Sequence, residues 1–260
     1  MRVRTDFIPV TGASVLTNVT LQFDRKDLNF KQKEGLSQAA VNIYARITNM
    51  ARRPINYFED VVTVDIPTEL LQQAVNGSSI YQKTIPLAPG RYRLNVVAKD
   101  IIGGNMTTYE TALDVPRFED DQLAVSSLIL ADDIQKVPTK SIGTGQFVIG
   151  TTKVRPRVSE SFRRDEKMGI YFQIYNFEAD EKTKKPDGTV QYEIVKAGST
   201  TPVFEFSEEI GALVGGASQV VIEKLLPLQS LEPGQYTLKV KVVDKKRNQT
   251  VTPSATFTVT

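Results

Sequence analysis

The stretch LAPGRYRLNVVAKD, residues 87–100, returns as LEPGQYTLKVKVVD at residues 231–244. In the first copy Tyr92, Leu94, Val96 and Ala98 alternate with Arg93, Asn95 and Lys99, interrupted only by Val97. A period of two is that of a β-strand with one buried and one wet face. Pro89-Gly90 and Pro233-Gly234 stand just before the two strands. They predict a tight turn, because proline presets φ and glycine accepts a positive one. A tyrosine follows at the same place in each copy, Tyr92 and Tyr236.

Working outward, the two copies align without a gap from Leu87–Val115 against Leu231–Val259. Earlier in the chain, VNIYARITN (41–49) matches MGIYFQIYN (168–176) at the Ile-Tyr pair, the next Ile and the final Asn. Duplication explains such agreement, and it predicts that the repeat unit is a whole domain. In immunoglobulin-like sandwiches a tyrosine near the start of strand F, two residues before a cysteine, ties its hydroxyl to the backbone of the preceding corner. Tyr92 and Tyr236 fit that role, with Leu94 and Leu238 in the place of the cysteine. Pro89, Gly90, Tyr92, Pro233, Gly234 and Tyr236 therefore read as two structural corners. Further alternating runs at 15–23, 36–48, 55–66, 126–131, 145–150, 169–177, 189–196, 201–206 and 218–228 read as strands. A short helix is expected over 67–75, with Pro67 in its first turn and Gly77 after its end. Residues 207–216 fit a helical turn or a loop equally well. The expected fold is all-β: two tandem immunoglobulin-like, fibronectin III-like β-sandwich domains, residues 1–118 and 119–260.

Composition removes whole classes of chemistry. The chain has no His, no Cys and no Trp. Without His or Cys there is no Ser-His-Asp or Cys-His nucleophile, no thiolate chemistry and no His- or Cys-ligated zinc. The formal charge of +2 is spread over both halves, which does not point to nucleic acid. No apolar run approaches the ~20 residues that span a bilayer, so no membrane insertion is expected.

Several local patterns resolve more simply as structure than as sites. GTGQFVIG (143–150) has glycines but neither dinucleotide-binding nor P-loop spacing, and reads as a hairpin or bulge. Adjacent acids at Asp120-Asp121, Asp132-Asp133 and Glu208-Glu209 point to opposite faces of any strand and cannot share one substrate there. Asp180, Glu181 and Asp187 lack EF-hand spacing. The basic residues Lys153, Arg155, Arg157, Arg163, Arg164 and Lys167 are interrupted by Glu160, Asp165 and Glu166, and read with 154–167 as solvated loop. Asn18, Asn76, Asn105 and Asn248 head glycosylation sequons. One feature stands out in GIYFQIYNF. If Ile170, Phe172 and Ile174 face the core as the aligned Ile43, Ala45 and Ile47 suggest, then Tyr171, Tyr175 and Phe177 line the outer face as an aromatic stripe. That stripe is a candidate interaction face for a protein partner; cross-strand packing is the competing reading.

Longer stretches carry a resemblance: VRTDFIP (3–9), FEDVVTVDIP (58–67), SSLILADDIQKVPTKSIGTGQFVIGTTKVRP (126–156), YNFEADEKTKKP (175–186) and PSATFTV (253–259). On these the chain resembles the C-terminal region of bacterial GWxTD domain-containing proteins, over nearly its whole length. With no tryptophan it lacks the motif that names the family. The resemblance implies the tail of a longer exported protein (periplasm, cell envelope or secreted), with the leader in the absent N-terminal part. It brings no catalytic residues and no cofactor. The expected role is a non-catalytic structural or protein-interaction module, with a carbohydrate- or ligand-binding sandwich as the alternative.

Overall fold

The structure is a computed structural model and describes residues 1–182, 185–212 and 219–260. It is nearly all β, and it divides into two compact units. The first comprises Met1–Thr5 and Ala13–Arg117, the second Asp6–Gly12 and Phe118–Thr260.

The first unit is built from β1 (Arg2–Thr11), whose later part belongs to the second unit, β2 (Ser14–Asp24), β3 (Lys31–Lys33), β4 (Leu36–Asn49), β5 (Pro54–Pro67), β6 (Ser78–Leu87), β7 (Gly90–Asp100) and β8 (Met106–Val115). One sheet has the order β1-β2-β6; the other runs β3-β4-β7-β8, with β5 also paired to β4. Alternation decides which side chains go in. On β4, Ala39, Val41, Ile43, Ala45 and Ile47 are buried, and on β7, Leu94, Val96 and Ala98. Over 67–75 the chain makes a 3-10 turn, Thr68–Leu70, running into one α-turn, α1 (Leu71–Ala74). Arg25 anchors it from β2's end, donating from Nη1 to Ala74 O at 3.1 Å and from Nε to Ser79 Oγ at 3.0 Å.

The second unit contains β9 (Ala124–Val125), β10 (Ile129–Lys136), β11 (Val148–Ile149), β12 (Thr152–Pro156), β13 (Ser161–Phe162), β14 (Lys167–Tyr175), β15 (Gly188–Lys196), β16 (Pro202–Glu209), β17 (Gln219–Pro227), β18 (Gly234–Asp244), β19 (Gln249–Val251) and β20 (Ser254–Val259). Its sheets are β11-β12-β10-β14-β17, with β9 beside β14, and β13-β20-β18-β15-β16, with β19 beside β18. One buried cluster draws Leu130, Ile170, Phe172 and Ile222 from the first sheet and Tyr192, Ile194, Leu238, Val240 and Phe257 from the second. The two sheets thus enclose one core, a sandwich-like arrangement.

Three sequence expectations change here. VNIYARITN and MGIYFQIYN are not equivalent strands: β4 pairs with β7, whereas β14 pairs with β10, β17 and β9 and lies in the sheet opposite β18. The strand that stands to β18 as β4 stands to β7 is β15. The strand that stands to β17 as β14 does is β2 to β6. Both matched segments carry the period of any half-buried strand, and that period holds no information about which sheet a strand joins. Residues 154–167 are not wholly loop, because they supply part of β12 and all of β13. Within 145–150, Phe147 (φ 68°) and Gly150 (φ 58°) sit in the left-handed region, so only Val148–Ile149 is strand. Of 207–216, β16 takes the residues to Glu209, Ile210–Ala212 form a 3-10 turn, and 213–216 lie outside the described residues.

Candidate functional site

The two corners are built alike. Tyr92 OH donates to Ala88 O at 2.9 Å and Tyr236 OH to Glu232 O at 2.7 Å. Gly90 and Gly234, each directly after the proline, take φ of 155° and 151°, values that disfavour any residue with a Cβ. The second corner is the more buried, with Tyr236 3% exposed and stacked on Phe257 at a 5.6 Å centroid separation.

The last residue of the repeated phrase does work that composition and spacing do not reveal. Asp100 Oδ1 accepts from the amides of Ile102 and Gly103, while Oδ2 accepts from Asn29 N and Nδ2 at 2.8 and 2.7 Å. Asp244 repeats the device: Oδ1 takes the amides of Lys246 and Arg247, and Oδ2 takes Glu178 N, each at 3.0 Å. Each carboxylate shapes the following hairpin and fastens a distant loop to it. Burial acts to raise the Asp100 pKa, yet the donors from Asn29, Gly103 and Ile102 together outweigh it and leave it below the ordinary carboxylate value.

The aromatic stripe is not an exposed face. Tyr171 is 0% and Phe177 5% exposed, and Tyr175 is half-buried. Tyr171 and Tyr175 do lie on the opposite side of β14 from Ile170, Phe172 and Ile174, and Gln173 links them. Its Nε2 donates to Tyr171 OH at 2.5 Å, and its Oε1 accepts from Tyr175 OH and, at 2.8 Å, from Gln219 Nε2. Burial pushes the Tyr171 hydroxyl up to about 12 and raises that of Tyr175 as well. Phe177 belongs to the core instead. The strand ends at Tyr175, and Asn176 adopts a left-handed φ of 63°, which breaks the alternation and turns Phe177 inward. There it covers Gly188, where an added Cβ would fall 2.7 Å from the ring and 2.3 Å from Val243 O. On β2, the counterpart strand, the stretch Asn18, Thr20, Gln22 of the second face is likewise buried, uncharged and polar: Thr84 Oγ1 donates to Asn18 Oδ1 at 2.7 Å, and Gln82 Nε2 to Thr20 Oγ1 at 2.9 Å. Asn18 is 2% exposed and closed to glycosylation, whereas Asn76, Asn105 and Asn248 are exposed.

The open surface that the sequence reading missed is the outer face of the β5-β4-β7-β8 sheet. Register places Tyr57 beside Arg46, Val61 beside Asn42, Tyr44 beside Val97, and Lys99 beside Met106. Tyr57 is 71%, Met106 67%, Val61 57% and Tyr44 41% exposed. Asn42 Nδ2 donates to Glu59 Oε1 at 3.0 Å and Asn95 Nδ2 to Glu110 Oε2 at 2.8 Å, which pins the polar residues between the apolar ones. The signal was present as Tyr57 and Val61 out of phase with the buried Phe58.

In the second unit an apolar cleft of about 250 Å³ opens between β16 and β17, walled by Phe204, Phe206, Tyr192, Leu225 and Leu226, with Ile170 and Leu238 behind them. Several of the acids and bases weighed from sequence stand in ion pairs: Asp132 with Arg157 and Arg155, Glu166 with Arg157, Asp165 with Arg163, Asp180 with Lys246 and Asp187 with Lys245. Among the described residues no three Asp or Glu side chains gather as a metal-binding group, and no helix is long and apolar enough to cross a membrane.

No family model matches the chain, and no curated protein matches it. Among solved structures the chain is similar to a β-glucuronidase of Parabacteroides merdae, at 10% identity and a TM-score of 0.29. The similarity covers 97% of this chain and 28% of that one.

Proposed function

We propose that the chain is a pair of tandem immunoglobulin-like, fibronectin III-like sandwiches, residues 1–118 and 119–260, acting as a non-catalytic structural or protein-interaction module. Strand order supports the tandem reading. A sheet of β5-β4-β7-β8 accompanies β1-β2-β6 in the first unit, and β16-β15-β18-β20 accompanies β10-β14-β17 in the second. These seven strands in each unit fit the order of a sandwich of this type, with the tyrosine corner leading into the F strand, and β3 in the first unit and β9, β11, β12, β13 and β19 in the second are additions to it. The resemblance to the C-terminal region of GWxTD proteins is what supports reading it as a module of a larger exported bacterial protein. Its partner is then a protein, either another part of the parent polypeptide or an envelope component.

The observation that carries the interaction role is the outer face of β5-β4-β7-β8, where Tyr57, Met106, Val61 and Tyr44 stand exposed on a hydrogen-bonded sheet. Exposed aromatic and Met side chains on a rigid support are the residue types that carry binding energy at protein interfaces. A photo-crosslinking residue at position 57 tests it, with the same probe at Glu232 as control and the native source cells fractionated in parallel. One discrete protein crosslinked from 57 and not from 232, in the envelope or medium, is the expected result. Equal labelling from both positions, or a cytoplasmic protein, refutes the reading. The alternative of a ligand-binding module draws on the cleft of the second unit, and flat calorimetric titrations across a glycan and aliphatic-ligand panel count against it.

A further inference from the structure

The two sheets of each unit are not joined by backbone pairing among the described residues; on one side their edge strands are β5 and β6 in the first unit, β16 and β17 in the second. At both places a carboxylate, a lysine and a tyrosine meet at the gap, and the lysine–carboxylate pair crosses it. In the first unit Asp60 on β5 accepts from Lys83 Nζ at 2.9 Å and from Tyr81 OH, both on β6. In the second, Glu208 on β16 accepts from Lys224 Nζ on β17 at 2.7 Å and from Tyr192 OH on β15 at 2.8 Å. The tyrosine comes from the lysine's strand in one unit and from the acid's own sheet in the other. The two triads are thus not one inherited set of positions, but the same chemistry reached twice.

We propose that these triads are latches that hold the two sheets together along this side of each unit. The chemistry explains their composition. A carboxylate has acceptor sites for both a tyrosine hydroxyl and an ammonium, and hydrogen bonds to a charged group are stronger than neutral ones. The tyrosine hydroxyls are held protonated, Tyr192 by burial first and then by Glu208, Tyr81 by burial first and then by Asp60, so each stays a donor. In the second unit the latch has the greater consequence, because it borders the apolar cleft. Phe206 is 48% and Leu225 57% exposed, while Leu238 at the back is fully buried. Releasing Lys224 from Glu208 lets β16 and β17 separate and exposes the core through that cleft, without unpairing β15 from β18. Such a step is local opening, at a free energy below that of global unfolding.

Residue-resolved hydrogen exchange of the intact chain tests the latch with Lys224→Met, which keeps an unbranched apolar stem and removes the charge. The expected result is about three- to tenfold faster exchange in β16 and β17, and in the β15 and β14 amides that pair with them, than in the parent, with β18 and the β15 amides bonded to it unchanged, the range that loss of one partly exposed charged hydrogen bond produces. The charge-exchanged double variant Glu208→Lys with Lys224→Glu separates latch from packing, and is expected to recover at least half of the lost protection. Unchanged exchange in β16 and β17 for Lys224→Met, an equal increase in β18, or no recovery in the double variant would each overturn the proposal.

Discussion

Strands β4 and β14 share a written pattern and meet opposite surroundings. In VNIYARITN and MGIYFQIYN the matched isoleucines point into cores in both cases: Ile43, Ile47 and Ile174 are 0% and Ile170 3% exposed. The matched tyrosines part company, Tyr44 at 41% exposure and Tyr171 at 0%. Period two thus determines which side chains go inward, while the fate of the second face depends on what the strand's sheet lies against. Charge is the residue-level trace of that difference. The second face of β4 carries Arg46 within the strand, whereas that of β14 carries Gly169, Tyr171, Gln173 and Tyr175, and that of β2 carries Asn18, Thr20 and Gln22, with charge only at the strand ends, Lys167 and Asp24. An uncharged polar face whose groups bond each other is what burial permits.

The largest effect expected from this contrast is between two alanine substitutions at matched positions. Tyr171→Ala should lower stability by about 3–5 kcal/mol, as large-to-small changes at fully buried aromatics do, and Tyr44→Ala by no more than about 1 kcal/mol. Urea denaturation of both variants measures this, and equal costs would break the contrast. Next comes the loop-fastening aspartate. Asp100→Asn should cost about 1.5–3 kcal/mol at pH 7, the range for hydrogen bonds to a charged group. Because the folded Asp100 pKa lies below its ordinary value, its charged form stabilises the fold above that ordinary pKa. The contribution then disappears as pH falls through the folded value. The gap between parent and variant should accordingly close in acid, which denaturation at a series of pH values would show, and a constant gap would contradict it. The smallest effects belong to the corners. Tyr236→Phe should cost about 1 kcal/mol and Tyr92→Phe less, since the Tyr92 hydrogen bond is solvent-exposed and that of Tyr236 partly buried; calorimetric Tm values of the two variants rank them.

Much of this architecture is legible in the sequence wherever the physics is local. Proline before glycine, a tyrosine at a fixed offset and a run of alternating residues are each set by neighbours within a few positions, and the repeat doubles the signal. The all-β fold followed from them. What could not be read depends on groups distant along the chain. Arg157 looked like part of a solvated basic loop, yet it bonds Asp132, Glu166 and the Ser161 carbonyl, and its guanidinium lies 4.6 Å from the centre of the Phe162 ring. Phe177 was assigned to the wrong face because one left-handed residue, Asn176, shifts the parity of everything after it. Asn can adopt that conformation more readily than most residues, but the sequence does not say that it does. The outer face of β5 carried its own signal in Tyr57 and Val61, overshadowed by the denser aromatic run in β14.

The placement of β14 is the point on which the comparison of the two strands rests, and backbone NOEs in an isotope-labelled sample address it most directly. Cross-strand contacts running from Met168 with Leu226 to Tyr175 with Gln219 are the predicted result. Contacts from residues 168–175 to residues 236–244 would instead put β14 where β4 stands in the first unit, and would contradict the assignment of the two segments to different sheets.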